Sequence, residues 1–306
     1  MSSFHLAYNK RMKFQKGFVK NKDYKTYYEV YGELNENTIP LIILHGGPGG
    51  TFSSYEVFTK LVDKGFTIVF YNQHGSGSSK IINHNNDIYF FETYYAEFES
   101  LIEELKINKY SILGHSWGGM LALKYIIDRD PTKLVSLILY SSLPSSKLWN
   151  EESLRLINYY PHEYKLALLN NLNHLKYNKK IYKKAVKLYT LDHHHDNAYK
   201  VYKPLHKRKM KFNKEVYEAL WGDSELFCTG SLLNYDVIND LDKVKIPTLI
   251  INGANDESTP YINKVMHDGI KNSKWFIIQD ARHVSYNEHP EEVINILNDW
   301  LRCYTN

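Results

Sequence analysis

Ser116 stands in the run Gly114-His115-Ser116-Trp117-Gly118, a Gly-x-Ser-x-Gly pattern. A serine hydroxyl is a weak nucleophile until a base takes its proton, and the base needs a carboxylate to fix its tautomer. Flanking glycines suit a turn too crowded for side chains, one that lifts the hydroxyl clear of a sheet edge. Two later residues supply the missing types in the order Ser, acid, His. Asp256 closes the loop Asn252-Gly253-Ala254-Asn255-Asp256, and His283 closes Asp280-Ala281-Arg282-His283. Asp280 is a rival carboxylate, but it lies too near His283 to come from the preceding loop. Acyl transfer also needs main-chain N–H donors aimed at a developing oxyanion. The run His45-Gly46-Gly47-Pro48-Gly49-Gly50 offers one at Gly47, and Trp117, directly after the serine, offers a second. With His283 as base, activity is expected to fall below about pH 6, where imidazole protonates.

Other clusters point less clearly to chemistry. His193-His194-His195-Asp196 has metal-ligand types. Adjacent side chains on a helix point in different directions, so a solvated loop or helix end is expected there, with no metal. His45 and His115 flank the reacting parts and are expected to shape the site. No Gly-Lys-Ser/Thr follows the first glycine run, which excludes a phosphate loop. Gly75-Ser76-Gly77 lacks the third glycine and the acidic partner of a dinucleotide motif. Lys203 to Lys214 reads as a solvated basic face. Serine chemistry of this kind requires no cofactor.

These residues need elements to position them, and the sequence supplies an alternation of strands and helices. Apolar runs at Pro40 to Leu44, Phe66 to Tyr71, Lys109 to Leu113 and Leu134 to Tyr140 read as buried strands, with another strand at Lys25 to Tyr31. Phe91 to Leu105 has helical periodicity, and Gly118 to Ile127 follows the serine as a helix. From Ser146 to Tyr235 the text turns helical and rich in Lys, Tyr and Asn, with helices at Tyr177 to Tyr189 and Phe212 to Trp221. The alternation resumes with strands at Ile246 to Ile251 and Lys274 to Ile278 and helices at Thr259 to Ile270 and Pro290 to Leu301. A mostly parallel sheet with helices on both faces is expected. The expected organisation is a core of residues 1–145 and 236–306 interrupted by a helical cap, 146–235.

Composition narrows the function classes. The 306 residues are 43% hydrophobic and 24% charged, as in soluble globular proteins. A net charge of +4 is too small and scattered to imply nucleic acid or a membrane surface as partner. Cys228 and Cys303 are the only cysteines, so no disulfide framework or zinc ribbon is available. The apolar runs fall short of the roughly 20 residues of a membrane helix. The start MSSFHLAYNKRMKFQKG lacks the apolar stretch of a signal peptide, so a cytoplasmic location is expected.

The chain resembles the proline iminopeptidase family of serine aminopeptidases, which includes the archaeal tricorn-interacting aminopeptidase, over nearly its whole length. His45-Gly46-Gly47-Pro48-Gly49 matches the family's oxyanion motif, and Gly114 to Gly119 matches its nucleophile turn. Trp221-Gly222-Asp223-Ser224-Glu225-Leu226, followed by Thr229-Gly230, looks like its Gly-Pro-Asn-Glu-Phe-Thr-x-x-Gly segment. Gly253-Ala254-Asn255-Asp256-Glu257-Ser258-Thr259-Pro260 looks like its triad-aspartate loop. The resemblance implies an α/β-hydrolase fold with a helical cap. It also implies cleavage of an N-terminal residue, with proline expected, from short peptides or amino-acid amides, and an α-amino group held by Glu225 and Glu257. One segment departs: Asn72 replaces the family's aspartate and Ser78 its arginine in Asn72-Gln73-His74-Gly75-Ser76-Gly77-Ser78-Ser79, so the family's local salt bridging is not expected here, while the triad is unaffected. A broad amino-acid amidase, a small-molecule esterase and an idle binding protein are the other readings of the same fold. The sequence leaves the oligomeric state open.

Overall fold

Strands β3 (Leu41–Leu44), β4 (Ile68–Tyr71) and β6 (Tyr110–His115) are buried at every residue, as strands covered on both faces must be. Their alternate side chains sort into two separate cores. Ile42, Leu44, Val69 and Tyr71 face one apolar cluster, while Leu41, Ile43, Ile68 and Phe70 face the other. The computed structural model describes residues 14–83, 89–196 and 210–304.

Among these residues lies one nine-stranded sheet in the order β1-β2-β4-β3-β6-β7-β8-β9, with β5 (Lys80–Ile81) added to β2. The strands β7 (Leu134–Tyr140), β8 (Thr248–Gly253) and β9 (Ser273–Ile278) continue the parallel centre. Antiparallel pairing is confined to β1 (Phe14–Lys20), β2 (Tyr24–Tyr31), β4 and β5 at one end. Strand β1 was not expected from the sequence. Its side chains are almost all exposed, so no buried face imposes an apolar alternation on it.

One face of the sheet is covered by α1 (Phe91–Glu104), α2 (Trp117–Arg129) and α7 (Pro260–Gly269). The other is covered by a 3₁₀ segment, Phe52–Lys64, and by α9 (Pro290–Arg302). Pro290 opens α9 at a first-turn position where its missing N–H costs nothing, and Glu291 and Glu292 lie in the positive first turn.

Between β7 and β8 the described residues hold no strand. They form α3 (Ser146–Ile157), α4 (His162–Leu172), α5 (Lys179–Tyr189) and α6 (Lys214–Leu220), with a small core of their own around Ile157, Leu168, Ala185 and Tyr189. A short helix, α8 (Ser285–Glu288), follows β9. Asn72 answers its loss of charge with a hydrogen bond, its Oδ1 accepting the Phe52 N–H at 3.1 Å. Most of the basic stretch from Lys203 lies outside the described residues; at its end Lys214 pairs with Glu218 on an exposed turn of α6. No helix among the described residues is long and apolar enough to cross a membrane.

Candidate active site

Ser116 sits where β6 ends and α2 begins, at φ 53° and ψ −121°. L-residues avoid such angles, and surrounding contacts must hold them. The Ser116 N–H donates to Tyr140 O at 3.0 Å, and its carbonyl accepts the Ser142 hydroxyl at 2.9 Å. The flanking glycines are steric necessities. A Cβ on Gly114 would lie 2.5 Å from Gly118 O, and one on Gly118 would overlap the carbonyl oxygen of Leu44 in β3.

The loops after β8 and β9 bring Asp256 and His283 together. His283 Nδ1–H donates to Asp256 Oδ1 at 2.8 Å, which leaves Nε2 as the basic nitrogen. Asp256 Oδ1 also accepts the Ser258 N–H at 2.7 Å. The rival Asp280 is exposed in a left-handed turn. Ser116 and His283 line one cleft of about 510 Å³, together with Gly47, His194, Tyr217 and Glu225. Burial, and then the charge of His194, lower the His283 pKa, while burial raises that of Asp256. A loss of activity near pH 6 would thus come from protonation of Asp256, raised to about 6, rather than of His283.

His283 is braced from behind by a chain that the sequence did not reveal. The Gly46 N–H donates to Tyr55 Oη at 2.7 Å, and the Tyr55 hydroxyl donates to His115 Nδ1 at 2.8 Å. His115 Nε2–H then donates to the His283 carbonyl at 3.0 Å. Burial holds His115 neutral by lowering its pKa well below the usual value, which suits one nitrogen accepting and the other donating. His45 plays a similar part: its Nε2 accepts the Gln73 N–H at 3.1 Å.

Gly47 adopts φ 50° at the cleft, and Trp117 is the first residue of α2. Neither main-chain N–H has an acceptor among the described residues. The Trp117 indole is pinned by donating to Gln73 Oε1 at 2.7 Å.

Glu225 and Glu257 both line a second chamber of about 280 Å³, behind the cleft, with Tyr189 and Leu226. Glu225 also lines the cleft, and Tyr217 donates its hydroxyl to Glu225 Oε2. Glu257 is fully buried. Its Oε1 lies 3.8 Å from His283 Nδ1, and its Oε2 has no partner among the described residues. Burial pushes the Glu257 pKa up to about 7; His194 opposes this and the charge of Glu225 adds to it.

The histidine run lies at a helix end, one of the two places expected for it, but it is partly buried against the loops after β8 and β9 rather than solvated. After α5 the chain makes a wide turn, Thr190–His194, closed by the His195 N–H on Thr190 O at 2.9 Å. The His193 carbonyl accepts the N–H of Glu257 at 3.2 Å and of His283 at 3.1 Å. His194 Nδ1 lies 2.5 Å from Glu257 Oε1, and its ring stacks on His283 with centroids 5.2 Å apart. Ligand atoms of His194, Glu257 and His283 fall within 4.8 Å of one another, the spacing of a metal cluster. In this trio, however, one imidazole bonds Glu257 directly and the other bonds Asp256. The geometry is that of an acid–base network rather than of ligands spread around an ion about 2 Å from each.

Comparison with known proteins identifies the family. The profile of the α/β-hydrolase fold family matches residues 39–290. A proline iminopeptidase of Lactobacillus helveticus (strain DPC 4571) is 38% identical over 279 residues, 91% of this chain and 94% of that protein. One from Clostridioides difficile (strain 630) is 36% identical, over 95% of this chain and 99% of its own length. The crystal structure of a Mycobacterium smegmatis proline iminopeptidase superposes with a TM-score of 0.83 at 27% identity, covering 95% of this chain and 98% of that one. Identity of this level, sustained along a chain whose fold sets serine, aspartate and histidine after strands β6, β8 and β9, places it in the proline iminopeptidase family of α/β hydrolases.

Proposed function

We propose that this protein is a serine aminopeptidase that releases the N-terminal residue, most readily proline, from short peptides. The observation that carries this reading is the pair Glu225 and Glu257 beside the Ser116–His283 cleft. An α-ammonium between two carboxylates makes charge-assisted hydrogen bonds, each contributing about 1.5–3 kcal/mol. An internal peptide bond brings no such charge and gains none of these contacts.

Ser116 Oγ attacks the first carbonyl while His283 Nε2 takes its proton. Asp256 holds the tautomer and stabilises the imidazolium. The N–H groups of Gly47 and Trp117 stabilise the oxyanion. His283 then gives its proton to the leaving amine, and water releases the acyl group by the reverse sequence. Residues 146–235 form the cap in this reading and limit access to short chains. Two unpaired cysteines, Cys303 among them exposed, suit a reducing cytoplasm, where we place the enzyme.

The test uses a fluorogenic prolyl amide, its N-acetyl derivative, and the variants Ser116→Ala and Glu225→Ala. Wild type is expected to cleave only the free amine. Ser116→Ala should lower kcat by about 10⁴-fold. Glu225→Ala should lower kcat/KM on the free amine by roughly 10- to 100-fold. Equal cleavage of the free and acetylated amides would remove the amine-site assignment.

A further inference from the structure

Buried carboxylates need a counter-charge, and an amine site awaiting its substrate lacks the one it was built for. Here the protein supplies its own. His194 Nδ1 is 2.5 Å from Glu257 Oε1, and the ring lines both the catalytic cleft and the chamber behind it. Glu257 lines only the chamber, so His194 stands between the nucleophile and the more deeply buried carboxylate. We propose that His194 is a specificity-determining residue: in the free enzyme its imidazolium occupies the place of the substrate's α-ammonium on Glu257, and substrate binding exchanges one cation for the other. This rests on the amine-site reading of Glu225 and Glu257.

The surroundings of His194 favour a cation. Glu257 and Asp256 face it from the loop after β8, and Glu225 and Asp223 from the segment after α6. His283 faces it from the loop after β9, and His195 follows it in the chain with ring centroids 5.5 Å apart. Three of these carboxylates act on it in the same direction. Burial works against its charge, but Glu257, then Glu225 and Asp256, raise its pKa to about 9.

The exchange requires little motion. The backbone is fixed, because the carbonyls of His193 and His194 accept N–H groups from Glu257, His283 and Val284. The ring is about a third exposed, at 32%, so a side-chain rotation toward the cleft frees Glu257. Away from Glu257 the imidazolium returns toward its ordinary pKa near 6.5 and at about pH 8 gives its proton to water. The balance is one ammonium bound, one imidazolium neutralised and one proton released to solvent. A substrate without an amine gains nothing by the exchange, because it would leave Glu257 without a cation. An amine-free substrate therefore leaves the His194–Glu257 pair in place, so the exchange acts on amine substrates alone.

Two variants separate this role from a structural one. His194→Gln keeps a donor for Glu257 without charge, and His194→Lys supplies a cation that does not neutralise at about pH 8. On a prolyl amide, KM for His194→Lys is expected to exceed that for His194→Gln by about tenfold or more. On the p-nitrophenyl ester of cyclopentanecarboxylic acid, which has no amine, the two variants should agree within about threefold. Fluorophosphonate labelling of Ser116 verifies that both are folded.

An independent readout is histidine NMR of Ser116→Ala. His194 should be an imidazolium at about pH 8 in the free protein and neutral once prolyl amide is bound. Equal KM values for the two variants, a parallel change on the amine-free ester, or a His194 that is neutral before ligand is added would each overturn the proposal. If wild type ignores the amine altogether, the amine-site reading fails as well, and that result is read from wild type alone.

Discussion

Glu257 is a buried carboxylate with one oxygen on a histidine and the other on no partner among the described residues. The neighbouring Asp256 is equally buried, yet it accepts from His283, Ser258 and Gly253. Adjacent acids thus differ in the donors around them: Asp256 is held by three, and Glu257 by the His194 imidazole alone. His283, enclosed with them, loses affinity for a proton mainly through burial. The group that titrates is then Asp256, which burial raises to about 6, so on an amine-free ester, which does not read the amine site, kcat should fall near pH 6. A kcat that stays level to well below pH 6 would mean that Asp256 remains a carboxylate throughout turnover. The triad was legible in the sequence because its residue types occur in order, each after a strand. Glu225 and Glu257 became legible only through family resemblance, since nothing local distinguishes them from surface acids. His194 and Tyr55 were not legible at all, because their partners lie 63 and 60 residues away and the contact exists only in three dimensions.

At the scale of elements, the central strands could be read from composition because both their faces are buried, and helices α1 and α9 from their periodicity. Strand β1 escaped because it is an exposed edge whose residues Phe14, Gln15 and Lys16 have no buried face to satisfy. The turn at Thr190–His194 escaped because its width is set by docking onto the triad loops rather than by local propensity. The junction of β6 with α2, which carries Ser116, is a tightly constrained turn: Gly114, Gly118 and Gly119 all face atoms within 2.5 Å of where a Cβ would stand. Gly118→Ala places a methyl group against the Leu44 carbonyl of the neighbouring strand, and backbone cannot yield as a flexible side chain does. Urea unfolding should show a loss of about 1–3 kcal/mol, with fluorophosphonate labelling of Ser116 falling in parallel. A variant that unfolds like wild type and labels at the wild-type rate would show that the turn tolerates a side chain.

For the whole molecule, the question is how the helical segment between β7 and β8 is attached to the sheet. Glu152 of α3 accepts the Thr259 hydroxyl at 2.5 Å at the start of α7, and Trp149 meets His283 edge-on at 6.2 Å. The pair His194–Glu257 adds an ionic link, which makes stability depend on pH. The His194 pKa is raised from 6.5 to about 9 on folding, so its contribution is complete below 6.5 and is lost as pH rises through 9. The raised Glu257 value acts with the same sign. The urea midpoint of wild type should fall between about pH 6.5 and 9, and Glu257→Gln, which removes the partner of His194, should flatten that decline. Identical pH profiles for the two proteins would mean that the pair contributes nothing to folding.

The backbone contacts of His193 bear on attempts to re-engineer specificity. A single carbonyl oxygen of the helical segment accepts both the amide of Glu257 and that of the catalytic histidine. Serine and oxyanion donors belong to the sheet and its loops, but the base is held from both sides. A chimera that replaced residues 146–235 with the corresponding part of another hydrolase would change the pocket and also remove a support from His283. Under the proposed function, specificity and turnover would not be separable modules, and a graft that spares Thr190–His194 should keep His283 in place where one that replaces it should not.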